Sequence, residues 1–136
     1  MADIPVGFRP INYDSGKVHT MLTVSSTTIA KGDALDFSGG YVQRATSSST
    51  DVYFVALEAK TTAASAHENI QCVLTSGVRF LATCNSTPSQ ANVGVEADLT
   101  DHNTVNEASS TNDTFLITKV IDTTNKIIEG YFINGT

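Results

Sequence analysis

From Val18 the chain reads with a period of two, Val18, Thr20, Leu22 and Val24 falling on one side and His19, Met21 and Thr23 on the other. This is the pattern of a half-buried strand, because successive side chains of an extended backbone point to opposite faces. The pattern returns in short pieces, each cut off by turn-forming residues. Ala34-Leu35-Asp36-Phe37 and Tyr41 to Ala45 flank Gly39-Gly40, a pair that accepts positive φ at both positions of a tight hairpin. Ile70 to Leu74 and Val78 to Ala82 flank Ser76-Gly77, a second hairpin signal. Thr114 to Ile121 and Lys126 to Ile133 flank Asp122-Thr123-Thr124-Asn125, a third. Val52 to Leu57 is a continuous apolar run of strand length, expected as a central strand buried on both faces. Residues 61–69 are expected as a loop or short helical stretch, and 100–113 as a long polar loop.

A chain of 136 residues fits one domain with its own core. Charged residues are only 16% of it, below the roughly 25% of ordinary domains. Ser and Thr take their place, as in TVSSTT, ATSSST and EASSTND, a surface suited to short strands joined by polar turns. The expected fold is all-β, a small β-barrel or β-sandwich of about eight or nine short strands with an extended N-terminal arm. The arm is residues 1–17, and residues 18–136 form the single β domain. In the arm, Pro5 and Pro10 bias the backbone toward extended or turn conformations. Ile4, Val6, Phe8, Ile11 and Tyr13 stand around them without strand or helix periodicity. Ile4, Pro5, Val6, Phe8, Pro10 and Tyr13 are the candidate contact residues for a partner or a neighbouring subunit. The competing reading folds the same segment over the domain's own core.

A formal charge of −6, with eight Lys and Arg scattered singly, argues against a nucleic-acid partner, which requires clustered cations. The apolar runs are too short to span a bilayer as helices, and the first residues lack the basic and apolar regions of a signal peptide. Neither suggests a membrane, and synthesis in a cytoplasm is expected. Cys72 and Cys84 make no disulfide framework and are expected as free, packed thiols. His19, His67 and His102 show no metal-ligand spacing. Asp98, Asp101 and His102 form the most tempting catalytic constellation, yet a solvated acidic loop is the commoner meaning of such a run. No nucleophile elbow, phosphate loop or dinucleotide fingerprint occurs. Asp33/Asp36 and Asp98/Asp101 offer oxygens for calcium but no complete loop. The absence of tryptophan thins the case for a sugar-binding module, although four tyrosines keep it open. The expectation is a protein that is not an enzyme and carries no cofactor.

Five pieces follow one another between Ile29 and Leu81. They are Lys31-Gly32-Asp33-Ala34-Leu35, Gly39-Gly40-Tyr41-Val42-Gln43-Arg44-Ala45-Thr46, Val55-Ala56-Leu57-Glu58, Ala63-Ala64-Ser65-Ala66, and Ile70-Gln71-Cys72-Val73-Leu74-Thr75-Ser76-Gly77-Val78. In order and spacing this stretch resembles the small β family of tailed-phage head decoration proteins, also called capsid-stabilising or cement proteins. Phe54 and His67 stand where that family commonly has glycine. The motif consists of turn glycines and alternating apolar positions, so it specifies a fold more than a site. The resemblance implies a structural virion protein on the capsid exterior, made in the host cytoplasm. It would contact the major capsid protein and itself as a homotrimer, and the arm would grip the shell. No residue-level match covers residues 1–17. The alternatives are another non-catalytic virion part, such as a tail, neck or fibre-base module, or a ligand-binding β module for sugar or calcium.

Overall fold

The computed structural model describes residues 4–133. In chain order the first strands are β1 (Arg9–Pro10), β2 (Val18–Leu22), β3 (Thr28–Ile29), β4 (Ala34–Ser38) and β5 (Tyr41–Arg44). Then come β6 (Phe54–Ala56), β7 (Lys60–Thr61), β8 (Asn69–Leu74) and β9 (Phe80–Cys84). The last are β10 (Glu96–Asp101), β11 (Thr104–Asn106), β12 (Phe115–Asp122) and β13 (Ile127–Phe132). A five-stranded sheet has the order β2-β8-β6-β4-β5, a six-stranded sheet β1-β9-β11-β10-β12-β13 with β13 also paired to β9, and a two-stranded sheet β3-β7.

The main core draws on both large sheets. Ala34, Val55 and Val73 of the five-stranded sheet meet Phe80, Leu99, Phe115, Ile117, Ile128 and Phe132 of the six-stranded one. The opposite face of the five-stranded sheet carries a smaller cluster, with Leu35, Phe54, Ile70 and Cys72 covered by Ile29 of β3. Strand β6 therefore has Val55 in one cluster and Phe54 and Ala56 in the other. It lies third of five in its sheet, the doubly buried central strand that its apolar run predicts.

The expected barrel or sandwich of eight or nine strands is corrected here. The described residues form thirteen short strands in three sheets. Strands β1, β3 and β7 have two residues each, too few to leave any periodic signature. The Ser76-Gly77 turn is also not a hairpin. Gly77 (φ +73°) carries the chain from β8 in one sheet to β9 in the other. The expected polar loop at 100–113 contains the end of β10 and all of β11, an antiparallel pair. Val105, buried in the main core opposite Leu99, anchors that pairing within an otherwise polar stretch. The hairpins at Gly39-Gly40 and at 122–125 are as expected: Ser38 faces Tyr41 and Asp122 faces Ile127. Residues 61–69 hold the end of β7, turns and the first residue of β8, with no helix.

Candidate contact site at the N-terminal strap

The candidate residues lie on a segment strapped across the domain. Its anchor is Phe8, 1% exposed, whose ring centroid sits 4.8 Å from that of Phe132 and 5.6 Å from that of Phe115. Phe80 and Phe132 continue the aromatic cluster at 5.4 Å. Beside the anchor two glycines cross. The Phe8 N–H donates to the Gly32 carbonyl at 2.8 Å. A Cβ on Gly7 would lie 2.5 Å from that same oxygen, and one on Gly32 would overlap the Val6 carbonyl. Both glycines have positive φ, +69° and +93°, so a side chain at either is excluded by space and by conformation. Next along the strap, Arg9 and Pro10 pair with Leu81 and Phe80, and the Ile11 N–H donates to the Arg79 carbonyl at 2.9 Å. The missing N–H of Pro10 is tolerated because β1 is an edge strand.

The six candidates thus divide. Phe8 is committed to the chain's own core and Pro5 is buried. Pro10 is half-buried in the ladder. Ile4 and Val6 stand 51% and 78% exposed. Ile4, Val6, Phe8 and Pro10 come together around a groove of about 390 Å³. Tyr13 is set apart at a second hollow with Asp14, Lys17 and Gly77. The groove is completed by Arg9, Lys31, Gly32, Ala56 and Leu57. Periodicity and composition did not single out Lys31, Ala56 and Leu57 as contact residues. They arrive through the 29–33 turn and the end of β6, and the signals that point at them are two pieces of the resemblance, Lys31-Gly32-Asp33 and Val55-Ala56-Leu57.

That motif is held by a buried carboxylate. Asp33, 1% exposed, accepts from the Ala30 N–H at 2.8 Å, from Arg44 Nε at 2.6 Å and from His102 Nδ1 at 3.0 Å. The Ala34 N–H donates to the His102 carbonyl at 2.7 Å. The β10–β11 turn of one sheet is thereby clamped to the head of β4 in the other. The groove consequently has a rigid wall, an apolar lining and two cationic side chains, Arg9 and Lys31.

The other polar candidates do not converge. Asp98 is taken up by its own loop: it accepts from the Ser109 hydroxyl and from the backbone N–H groups of Thr111, Asn112 and Asp113. Burial pushes its pKa up, but those four donors outweigh burial and leave it below the usual carboxylate value. Asp101 accepts from the Asn103 N–H, and His102 faces Asp33. His67 stacks on Tyr41 at 3.9 Å with its Nδ1 2.9 Å from the Thr23 carbonyl. His19 lies edge-on to Phe54. Cys72 and Cys84 are free and buried in different clusters. Among the described residues no group of three or more His, Cys, Asp or Glu is placed to hold a metal ion, and no helix is long and apolar enough to cross a membrane. No family model matches the sequence, and no curated protein or solved structure matches it.

Proposed function

We propose that the chain is a non-catalytic virion protein that binds the outer surface of a tailed-phage capsid and stabilises the head lattice, in contact with the major capsid protein and as a homotrimer on the shell. The strap carries this reading. A segment that is pinned by Phe8 and by the Gly7–Gly32 crossing presents Ile4 and Val6 to solvent beside an apolar groove. Exposed apolar surface on an immobilised segment favours burial against a partner. The ordering is already complete, so binding needs little further loss of chain entropy. The resemblance to the decoration proteins also supports the reading, since Gly32 of the resembling motif holds the strap and Asp33 fixes the turn that carries Gly32. Lys31 at the groove suits an acidic partner segment within a chain whose overall charge of −6 disfavours DNA. Three straps on one trimer would act together, so modest single contacts sum to lasting attachment.

The test is cosedimentation of the purified chain with expanded capsids that lack it. Binding to the shell by the wild-type chain, and its loss in an Ile4→Asp/Val6→Asp double variant with unchanged melting temperature, is the expected result. Equal binding by the double variant removes the strap from the contact. Failure of the wild-type chain to bind heads, or labelling of tails instead in electron micrographs, overturns the capsid assignment.

A further inference from the structure

Away from the strap, β4 and β6 pair only at Ala34–Val55 and Leu35–Phe54. Beyond Leu35 the two segments part, and the 48–53 stretch opens a hollow of about 290 Å³ against the end of β4. Phe37 and Tyr53 line it side by side, 42% and 37% exposed, with ring centroids 5.9 Å apart and ring planes inclined at 40°. Phe37 is fixed from behind by Phe54, edge-on at 5.9 Å, and the Tyr53 carbonyl accepts from the Thr75 N–H at 2.8 Å. The polar lining is Asp36, Ser48, Ser49, Thr50 and Asp51. The Ser49 hydroxyl donates to one oxygen of Asp36 at 2.5 Å, and the other oxygen is buried without a donor among the described residues.

We propose that this hollow is a binding site for a neutral saccharide, one pyranose ring lying across the exposed faces of Phe37 and Tyr53. A pyranose has an apolar face of C–H groups and a rim of hydroxyls. Two inclined aromatic faces meet the first, and carboxylates and hydroxyls accept from and donate to the second. Phe37 and Tyr53 are held by neighbouring strands before any ligand arrives, which limits the ordering that binding requires. Asp36 and Asp51 exclude acidic sugars by like-charge repulsion and select a neutral one. The site is separate from the strap. No residue lines both hollows, so the two surfaces can be occupied independently.

The experiment uses the full ¹⁵N-labelled chain and five probes: maltohexaose, cellohexaose, mannohexaose, the hexamer of N-acetylglucosamine, and the hexamer of galacturonate. Each is titrated to about 10 mM, a range that detects weak single-site binding. The expected result is that at least one neutral hexamer shifts amide resonances of residues 36–38 and 48–53, while the galacturonate hexamer does not. Phe37→Ala and, separately, Tyr53→Ala each weaken that binding by about tenfold or more, and Phe37→Tyr retains it. The dispersed amide spectrum of each variant verifies that it folds. The proposal is overturned if no neutral hexamer shifts these residues, if the galacturonate hexamer binds as well, or if the alanine variants bind undiminished. It is equally overturned if Phe37→Ala changes the oligomeric mass without affecting sugar binding, which would make the hollow a contact between copies of the chain.

Discussion

Asp33 and Asp98 show how this chain uses buried carboxylates to hold loops. Asp33 gathers the 29–33 turn, Arg44 and His102, the latter two still in partial contact with water. Removing it in Asp33→Ala strands the Ala30 N–H and the His102 ring. The expected loss is about 2–3 kcal/mol, read from urea denaturation midpoints. Asp98 acts through ionisation. Its folded pKa lies below the ordinary value, so the carboxylate stabilises the fold fully above the unfolded pKa of about 3.9. That contribution disappears as the pH falls from there through the folded value. Acid unfolding should therefore be steeper below about pH 4 for the wild-type chain than for Asp98→Asn, which lacks the titrating group. Burial, followed by the charges of Glu58 and Glu107, pushes the thiols of Cys72 and Cys84 up to about 12. Neither should react with an aromatic disulfide reagent in the native protein at neutral pH, and both should react on unfolding. Rapid labelling of either thiol in the folded chain would contradict their placement.

At the scale of elements, glycine decides where strands may touch. Gly130 sits within β13, where a Cβ would overlap the Leu116 carbonyl and approach the Phe115 ring to 2.6 Å. Its conformation is ordinary and only the space is missing. Gly130→Ala should cost about 2–3 kcal/mol by forcing β12 and β13 apart, and a variant as stable as wild type would show that the pair can separate freely. Gly32 combines both constraints, because it also has positive φ. Gly32→Ala should release the strap while the strands beyond it persist. The signature is faster hydrogen exchange at the Phe8 amide, which donates to Gly32, with β12 and β13 protected as before.

For the molecule as a whole, the strap belongs to the folding unit. Phe8 supplies one of the aromatic rings of the core, and Phe8→Ala should destabilise the fold by about 3–5 kcal/mol. Removing residues 4–13 should for the same reason abolish cooperative unfolding rather than leave a folded domain without its arm. Contact with a partner is therefore better probed at Ile4 and Val6, whose side chains extend outward. A truncated chain that melts as sharply as the full one would return Phe8 to the role of an external anchor.

The sequence by itself determined the all-β class, the central position of Val52–Leu57, two of the three hairpins, and the turn glycine of the Lys31-Gly32-Asp33 motif. Each is a local matter: alternation follows from the pleat, and positive φ follows from the absence of a Cβ. The tertiary structure decided the rest. Two-residue strands exist only because a partner's backbone is opposite them, as Leu81 and Phe80 are to Arg9 and Pro10. Ser76-Gly77 reads as a hairpin locally but becomes a change of sheet, because Phe80 and Ala82 are drawn into the core of the other layer. Phe8 looked no different from Val6 in an aperiodic segment, yet one is 1% and the other 78% exposed. Phe37 and Tyr53 stand sixteen residues apart in the sequence and meet only where β4 and β6 part. Strand pairing acts between residues remote in sequence, and no local pattern carries the choice of partner.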